Sequence, residues 1–166
     1  MRNFKQQRRV SFVTAMLVVS VISCFGFAKN VGAASWNGIE PFKTSRAEVL
    51  KIMGPPVSET TEGVLRFNVS GGSVQISFVN EKFVANKKLR PELAGAVLEI
   101  VLQHEHSSDT AESMKLLKNR DFSRDDVRNI SIFRNIKDGV VYTFIDGRLK
   151  TTRYTFADSQ LSRARR

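Results

Sequence analysis

"LRFNVSGGSVQISF", Leu65 to Phe78, alternates apolar and polar residues on both sides of a glycine pair. Leu65, Phe67 and Val69 share one face of an extended chain, with Arg66 and Asn68 on the other. After Ser70-Gly71-Gly72, Val74, Ile76 and Phe78 alternate in the same way with Gln75 and Ser77. A period of two on either side of a glycine turn predicts a β-hairpin with one wet face. A lone hairpin is marginal in water, so its apolar face needs more strands or a helix to cover it.

The downstream chain offers both. A basic loop is expected from Asn80 to Gly95, and "AVLEIVLQH", Ala96 to His104, reads as a more buried strand with Leu98, Ile100 and Leu102 on one face. "DTAESMKLLKN", Asp109 to Asn119, has the spacing of a helix capped by Asp109 and Glu112, with Met114 and Leu117 on one side. In "FSRDDVRN", Ser123 and Asp126 stand at the spacing of another capping pair. Three further strands are predicted over Asn129–Ile136, Val140–Ile145 and Leu149–Phe156, joined by the turn signals Lys137-Asp138-Gly139 and Asp146-Gly147.

Upstream, "SRAEVLKIMGPP", Ser45 to Pro56, contains the start, face and stop of a short helix. Ser45 and Glu48 form a capping box, and Ala47, Val49, Leu50, Ile52 and Met53 supply an apolar stripe. Gly54 offers a left-handed stop, which Pro55 and Pro56 enforce. A helix of two or three turns does not hold alone, so it has to dock. The whole predicts an α+β domain, with short helices packed on a mainly antiparallel sheet. The order helix, three strands, helix, three strands invites division into two diverged α-β-β-β halves, although no residue-level repeat links them.

The amino terminus belongs to a different physical regime. Arg2, Lys5, Arg8 and Arg9 precede Val10 to Ala28, a stretch of 19 residues without charge or proline. Small residues follow at Gly32, Ala33 and Ala34, the pattern of an export signal. Residues 1–34 are therefore expected to be a signal peptide or membrane leader, residues 35–160 a single domain, and residues 161–166 a basic tail. Cleavage near Ala33 or Ala34, lipidation of Cys24 within the lipobox-like "VISC", and retention of the run as an anchor all place the domain outside the cytoplasm. The expected location is the periplasm, cell envelope or extracellular space.

Charge and cysteine usage narrow the chemistry. The 166-residue chain carries a formal +10, but residues 1–34 hold five of its 26 basic residues and none of its 16 acidic ones, leaving 21 against 16. The remainder is dispersed except for "KFVANKKLR", Lys82 to Arg90, and the terminal "RARR". No long polybasic tract points to nucleic acid, and membrane association is expected through the N terminus. Cys24 is the single cysteine, so the domain behind the leader has neither disulfide nor thiol nucleophile.

The helix stretch carries a resemblance. Ser45, Val49, Met53, Gly54 and Pro56 match a motif of the SmpA/OmlA (BamE-like) small envelope proteins, over twelve residues. That resemblance implies an exported, non-enzymatic protein with helices on an antiparallel sheet. The longer opening Trp36 to Pro56 is also similar to that of exported bacterial proteins of unknown function. The chain departs from the BamE-like pattern in the spacer between Gly38 and Ser45 and in having about twice as many strands, so the family's partner is not carried over.

Catalytic signals are sparse. His104 and His106, with Glu105 between them, are the chain's two histidines, spaced to share a face of a strand, but a zinc site needs a third ligand and Asp109 is the one close carboxylate candidate for it. No serine sits in a nucleophile-elbow context, and the "SGGS" turn lacks the lysine and helix of a phosphate loop. No metal and no cofactor are expected. The residues point first to an exported, non-catalytic module whose partner is a protein, lipid or wall component. The alternative is a small periplasmic hydrolase or metal-dependent enzyme using His104 and His106.

Intact mass is expected to fall on export. Cys24→Ser separates the routes: unchanged processing supports ordinary cleavage, an accumulating precursor supports lipidation, and full-length wild-type chain in the soluble cytoplasm contradicts both.

Overall fold

A computed structural model describes residues 33–166; Cys24 and the rest of the leader before Ala33 lie outside the described residues. Helix α1 (Arg46–Met53) is followed by β1 (Ser58–Glu59), β2 (Leu65–Val69) and β3 (Gly72–Phe78), then α2 (Glu81–Lys87) and β4 (Val97–His104). Strands β5 (Ser123–Val127), β6 (Ile130–Asn135), β7 (Val140–Ile145) and β8 (Arg148–Thr155) lead to α3 (Asp158–Ala164). The strands form one eight-stranded sheet in the order β1-β2-β3-β4-β8-β7-β6-β5, every neighbouring pair antiparallel. The fold is α+β with the sheet dominant. No described helix is long and apolar enough to cross a membrane.

Two four-stranded meanders, β1 to β4 and β5 to β8, meet along β4 and β8, where Ile100 pairs with Tyr154 and Leu102 with Thr152. The register places one row, Ile76, Ile100, Tyr154 and Val140, on the same face, and a second row, Val74, Leu102, Thr152, Tyr142 and Phe133, beside it. That face is the buried one. Its first half packs under α1 in a cluster containing Ile39, Val49, Leu65, Phe67 and Val97. Its second half is covered by the segment between β4 and β5, through Leu116, Met114 and Phe122 on Phe133, Phe144 and Leu149. A third cluster, Phe42, Val79, Val84, Leu89, Leu93 and Ala164, closes the end where β3 and β8 leave the sheet and β4 enters. There Phe42 and Phe156 stack with ring centroids 4.5 Å apart.

The capping box of α1 is present: the Ser45 amide donates to Glu48 Oε2 at 2.7 Å and the Glu48 amide donates to Ser45 Oγ at 3.3 Å. Gly54 ends the helix at φ 77° with an extended ψ of −159°, and its amide donates to the Leu50 carbonyl. The docked stripe is narrower than expected. Val49 is fully buried and Leu50 and Met53 pack on the core, but Ala47 and Ile52 face water. Arg46 instead pairs with Glu59 at 2.7 Å, tying α1 to β1.

Five expectations are corrected. The helix over Asp109–Asn119 is replaced by turns and a single 3-10 turn at Leu116–Lys118: Thr110 and Ser113 exchange the bonds of a capping box, but Lys115 takes a left-handed φ of 56° and ends the turn. With that helix gone, the order of two α-β-β-β halves does not hold. The basic loop of Asn80–Gly95 contains α2, capped by Asn80, whose Oδ1 accepts from the Phe83 amide at 2.8 Å, and stopped by left-handed Lys88. Ser123 and Asp126 lie in edge strand β5 rather than at a helix start; Asp126 accepts from Ser131 and Arg124. Residues 161–166, expected as a tail, complete α3 and pair back on the chain after α2, Leu89 bridging Arg165.

Val49→Ala is expected to cost roughly 2 to 4 kcal/mol by leaving a cavity under α1, whereas Ser45→Ala should cost about 1 kcal/mol through the lost cap. Denaturant melts that rank the cap change as the more damaging would contradict this docking.

Candidate functional site

At the end of the sheet opposite the third cluster, a cleft of 410 Å³ opens between the turn after Trp36, Met53 of α1, the β2–β3 turn and the last residues of β4. Its Trp36 wall is built locally. The Trp36 and Ile39 backbones exchange hydrogen bonds of 3.0 and 2.8 Å, with Asn37 at φ 50° and Gly38 at φ 77° between them. Asn-Gly readily takes positive φ at both positions, so this dipeptide sets the two-residue turn that presents the chain's one tryptophan half-buried. Asn37 Nδ2 donates to Met53 Sδ at 3.5 Å, holding the turn against α1.

The opposite wall is backbone. Gly72 sits against β4, and an added Cβ there would run into the Gln103 carbonyl. The Glu105 amide donates to the Gly71 carbonyl at 3.0 Å, so the tip of the β2–β3 hairpin is fastened to the residue following β4. The two strands therefore approach closely beside His104, which pairs with Gly72.

His104 is the one titratable residue lining the cleft. Its Nε2 lies 2.9 Å from Thr152 Oγ1, the roles of donor and acceptor depending on the ring tautomer. Burial pushes the imidazole below its ordinary value, opposed by the field of Asp109. Tyr142 and Tyr154, which flank Thr152 on the same sheet face, are pushed up by burial. All three shifts favour the neutral form, so this strip of the sheet presents dipoles and ring surfaces rather than charge at neutral pH.

The residues singled out from sequence do not assemble. His106 lies in the exposed bend after β4 rather than beside His104 on the strand. The Asp109 carboxylate accepts from Ser107 Oγ at 3.3 Å. Among the described residues, no group of three His, Cys, Asp or Glu side chains is placed to hold a metal. Thr152 is 3% exposed, which closes its hydroxyl to a substrate carbonyl. Trp36 was missed as a site residue, and its signal was the Asn-Gly pair that follows it.

No protein-family model matches the chain, and no curated protein matches it. Among solved structures it is similar to the crystal structure of a DUF4309 family protein, YjgB, from Bacillus subtilis. The two superpose with a TM-score of 0.50 at 10% sequence identity, over 75% of this chain and 88% of that one. At that identity the likeness is one of fold.

The depressed titration of His104 fixes a direction for stability. The unfolded chain takes up this proton near the ordinary value of 6.5, while the folded one resists it. Below that pH the unfolded state binds more protons, so stability present above it is lost as pH falls through the folded value. Denaturant midpoints are expected to drop between pH 7 and pH 5, and His104→Gln should flatten that slope; an unchanged slope would show that His104 is not its source.

Proposed function

We propose that this chain is an exported, non-catalytic module of the cell envelope or extracellular space that binds a protein, lipid or wall component through the Trp36 cleft. The observation that carries the reading is the character of the cleft: an aromatic wall at Trp36, a bare glycine backbone opposite, and a single histidine held neutral. A half-buried tryptophan beside close-packed glycine backbone gives stacking area at little cost in side-chain order. Acid–base chemistry asks for the reverse, a group poised near the working pH with a second group to receive the proton. The contact of His104 with Thr152 is the one feature that favours a hydrolase or a histidine-dependent enzyme, and the burial of Thr152 weighs against it.

Export is part of the proposal and is supported by residues 1–34 alone, with Cys24 as the lipid acceptor if the leader is processed as a lipoprotein. A BamE-like origin is supported by the capped helix and its seat on an antiparallel sheet.

Affinity-tagged protein recovered from the envelope of its native cell is expected to retain a bound component. Trp36→Ala should lower that recovery about thirtyfold, the scale of an aromatic hot spot, whereas His104→Ala combined with His106→Ala should leave it intact. Loss in the histidine variant with full retention in the tryptophan variant would replace this reading with the catalytic one.

A further inference from the structure

Two basic runs far apart in the chain meet at the other end of the sheet. Leu89 bridges Arg165 in antiparallel fashion, the Arg90 amide donates to the Ala164 carbonyl at 2.9 Å, and the Arg166 amide donates to the Lys88 carbonyl at 3.0 Å. Arg166 Nε adds a bond of 2.9 Å to the Leu89 carbonyl. The pairing makes a ridge on which Lys87, Lys88, Arg90, Arg165 and Arg166 are all exposed. On one flank, Lys88 and Arg166 border a cleft of 630 Å³ with Val84, Pro91 and Ala94 in its walls. On the other flank, Arg90 borders a cleft of 250 Å³ beside Phe42 and Leu93. The nearby acids are Glu81, in the larger cleft, and Glu92, which pairs with Arg90 at 3.6 Å, so the cations outnumber them.

We propose that this ridge is a docking surface for the anionic phospholipid headgroups of a bilayer. Exposed cations bordering apolar clefts match the layered chemistry of a membrane interface, in which phosphates meet Lys and Arg while apolar walls receive the glycerol and first methylenes. Nucleic acid is matched less well, because the ridge has no exposed aromatic row on which bases would stack. The path of the chain favours the same side. The Ala34 amide donates to the Asp138 carbonyl at 2.6 Å, and the Asp158 amide at the start of α3 donates to the Ile136 carbonyl at 3.4 Å. Residue 34 thus enters beside the β6–β7 turn and the start of α3, the helix whose last turn carries the ridge. The uncharged run stops at Ala28, so a retained leader or a lipidated Cys24 would hold this end near the bilayer on a short tether.

The proposal is independent of the Trp36 cleft. Its test is co-sedimentation of the protein purified from its native envelope, with whatever N terminus it carries. The vesicles are phosphatidylcholine alone, which reports any anchor, or phosphatidylcholine mixed with phosphatidylglycerol, which adds the charge-dependent part. The combined change Lys87→Gln, Lys88→Gln and Arg165→Gln is expected to cut the phosphatidylglycerol-dependent gain about a hundredfold, given the usual contribution of each cation at an anionic surface. Lys51→Gln, Lys118→Gln and Arg120→Gln remove the same charge elsewhere and should leave that gain unchanged. Equal losses in the two triple variants, no loss in the ridge variant, or tighter capture by the same residues of a single-stranded oligonucleotide than of anionic vesicles would each overturn it. A denaturant midpoint equal to that of the wild type excludes unfolding as the source of a loss.

Discussion

The structure depends on the pairing of β4 with β8. Each meander could assemble from neighbours in sequence, but the buried face becomes continuous only where Ile100 meets Tyr154 and Leu102 meets Thr152. The contact is costly to form, since the chain between the strands must be ordered before any bond along this line is gained. Most other features take their position from it. It sets Thr152 against His104, aligns the two halves of the core, and brings the segment after β8 to the end of the sheet where α2 and α3 pack.

The same pairing explains why the two ends of the sheet differ. At the end with the β2–β3 turn, glycines let the backbone come close and leave a neutral recess beside a tryptophan. At the other end, aromatic packing of Phe42 and Phe156 fills the space, and the polar content is displaced outward as a cationic rim. Burial accounts for both, because it drives His104, Tyr142 and Tyr154 toward their neutral forms and leaves lysines and arginines where water can reach them.

The sequence was most readable where one face is wet and one dry. Leu65–Val69 and Val140–Ile145 lie where the alternation puts them, and the other core strands differ from expectation by one or two residues at their ends. Strand β5 was illegible because all five of its residues are exposed, so Ser-Arg-Asp-Asp-Val carries no period at all. Helix α2 is too short for a stripe, and its asparagine cap and left-handed Lys88 stop have none of the usual glycine or proline marks. The opposite error occurred after Asp109, where helical spacing was genuine but a tertiary lid over Leu149 and Phe133 prevailed over local propensity. Of the site, His104 was visible as a residue type, whereas the meeting of Trp36 with Gly72 depends on contacts that no local pattern encodes.

An open sheet is a template for its own extension, and this one has two ends at which another strand could add. At one, β1 offers two residues only. At the other, β5 places Arg124 and Asp126 on the inward side, the guanidinium 5.4 Å above the Phe133 ring, and sets Asp125 against Arg134 on the outer side. An incoming strand would have to desolvate these groups before gaining a single backbone bond. Among the described residues, edge-to-edge growth is therefore opposed by charge at the β5 margin and by shortage of length at β1.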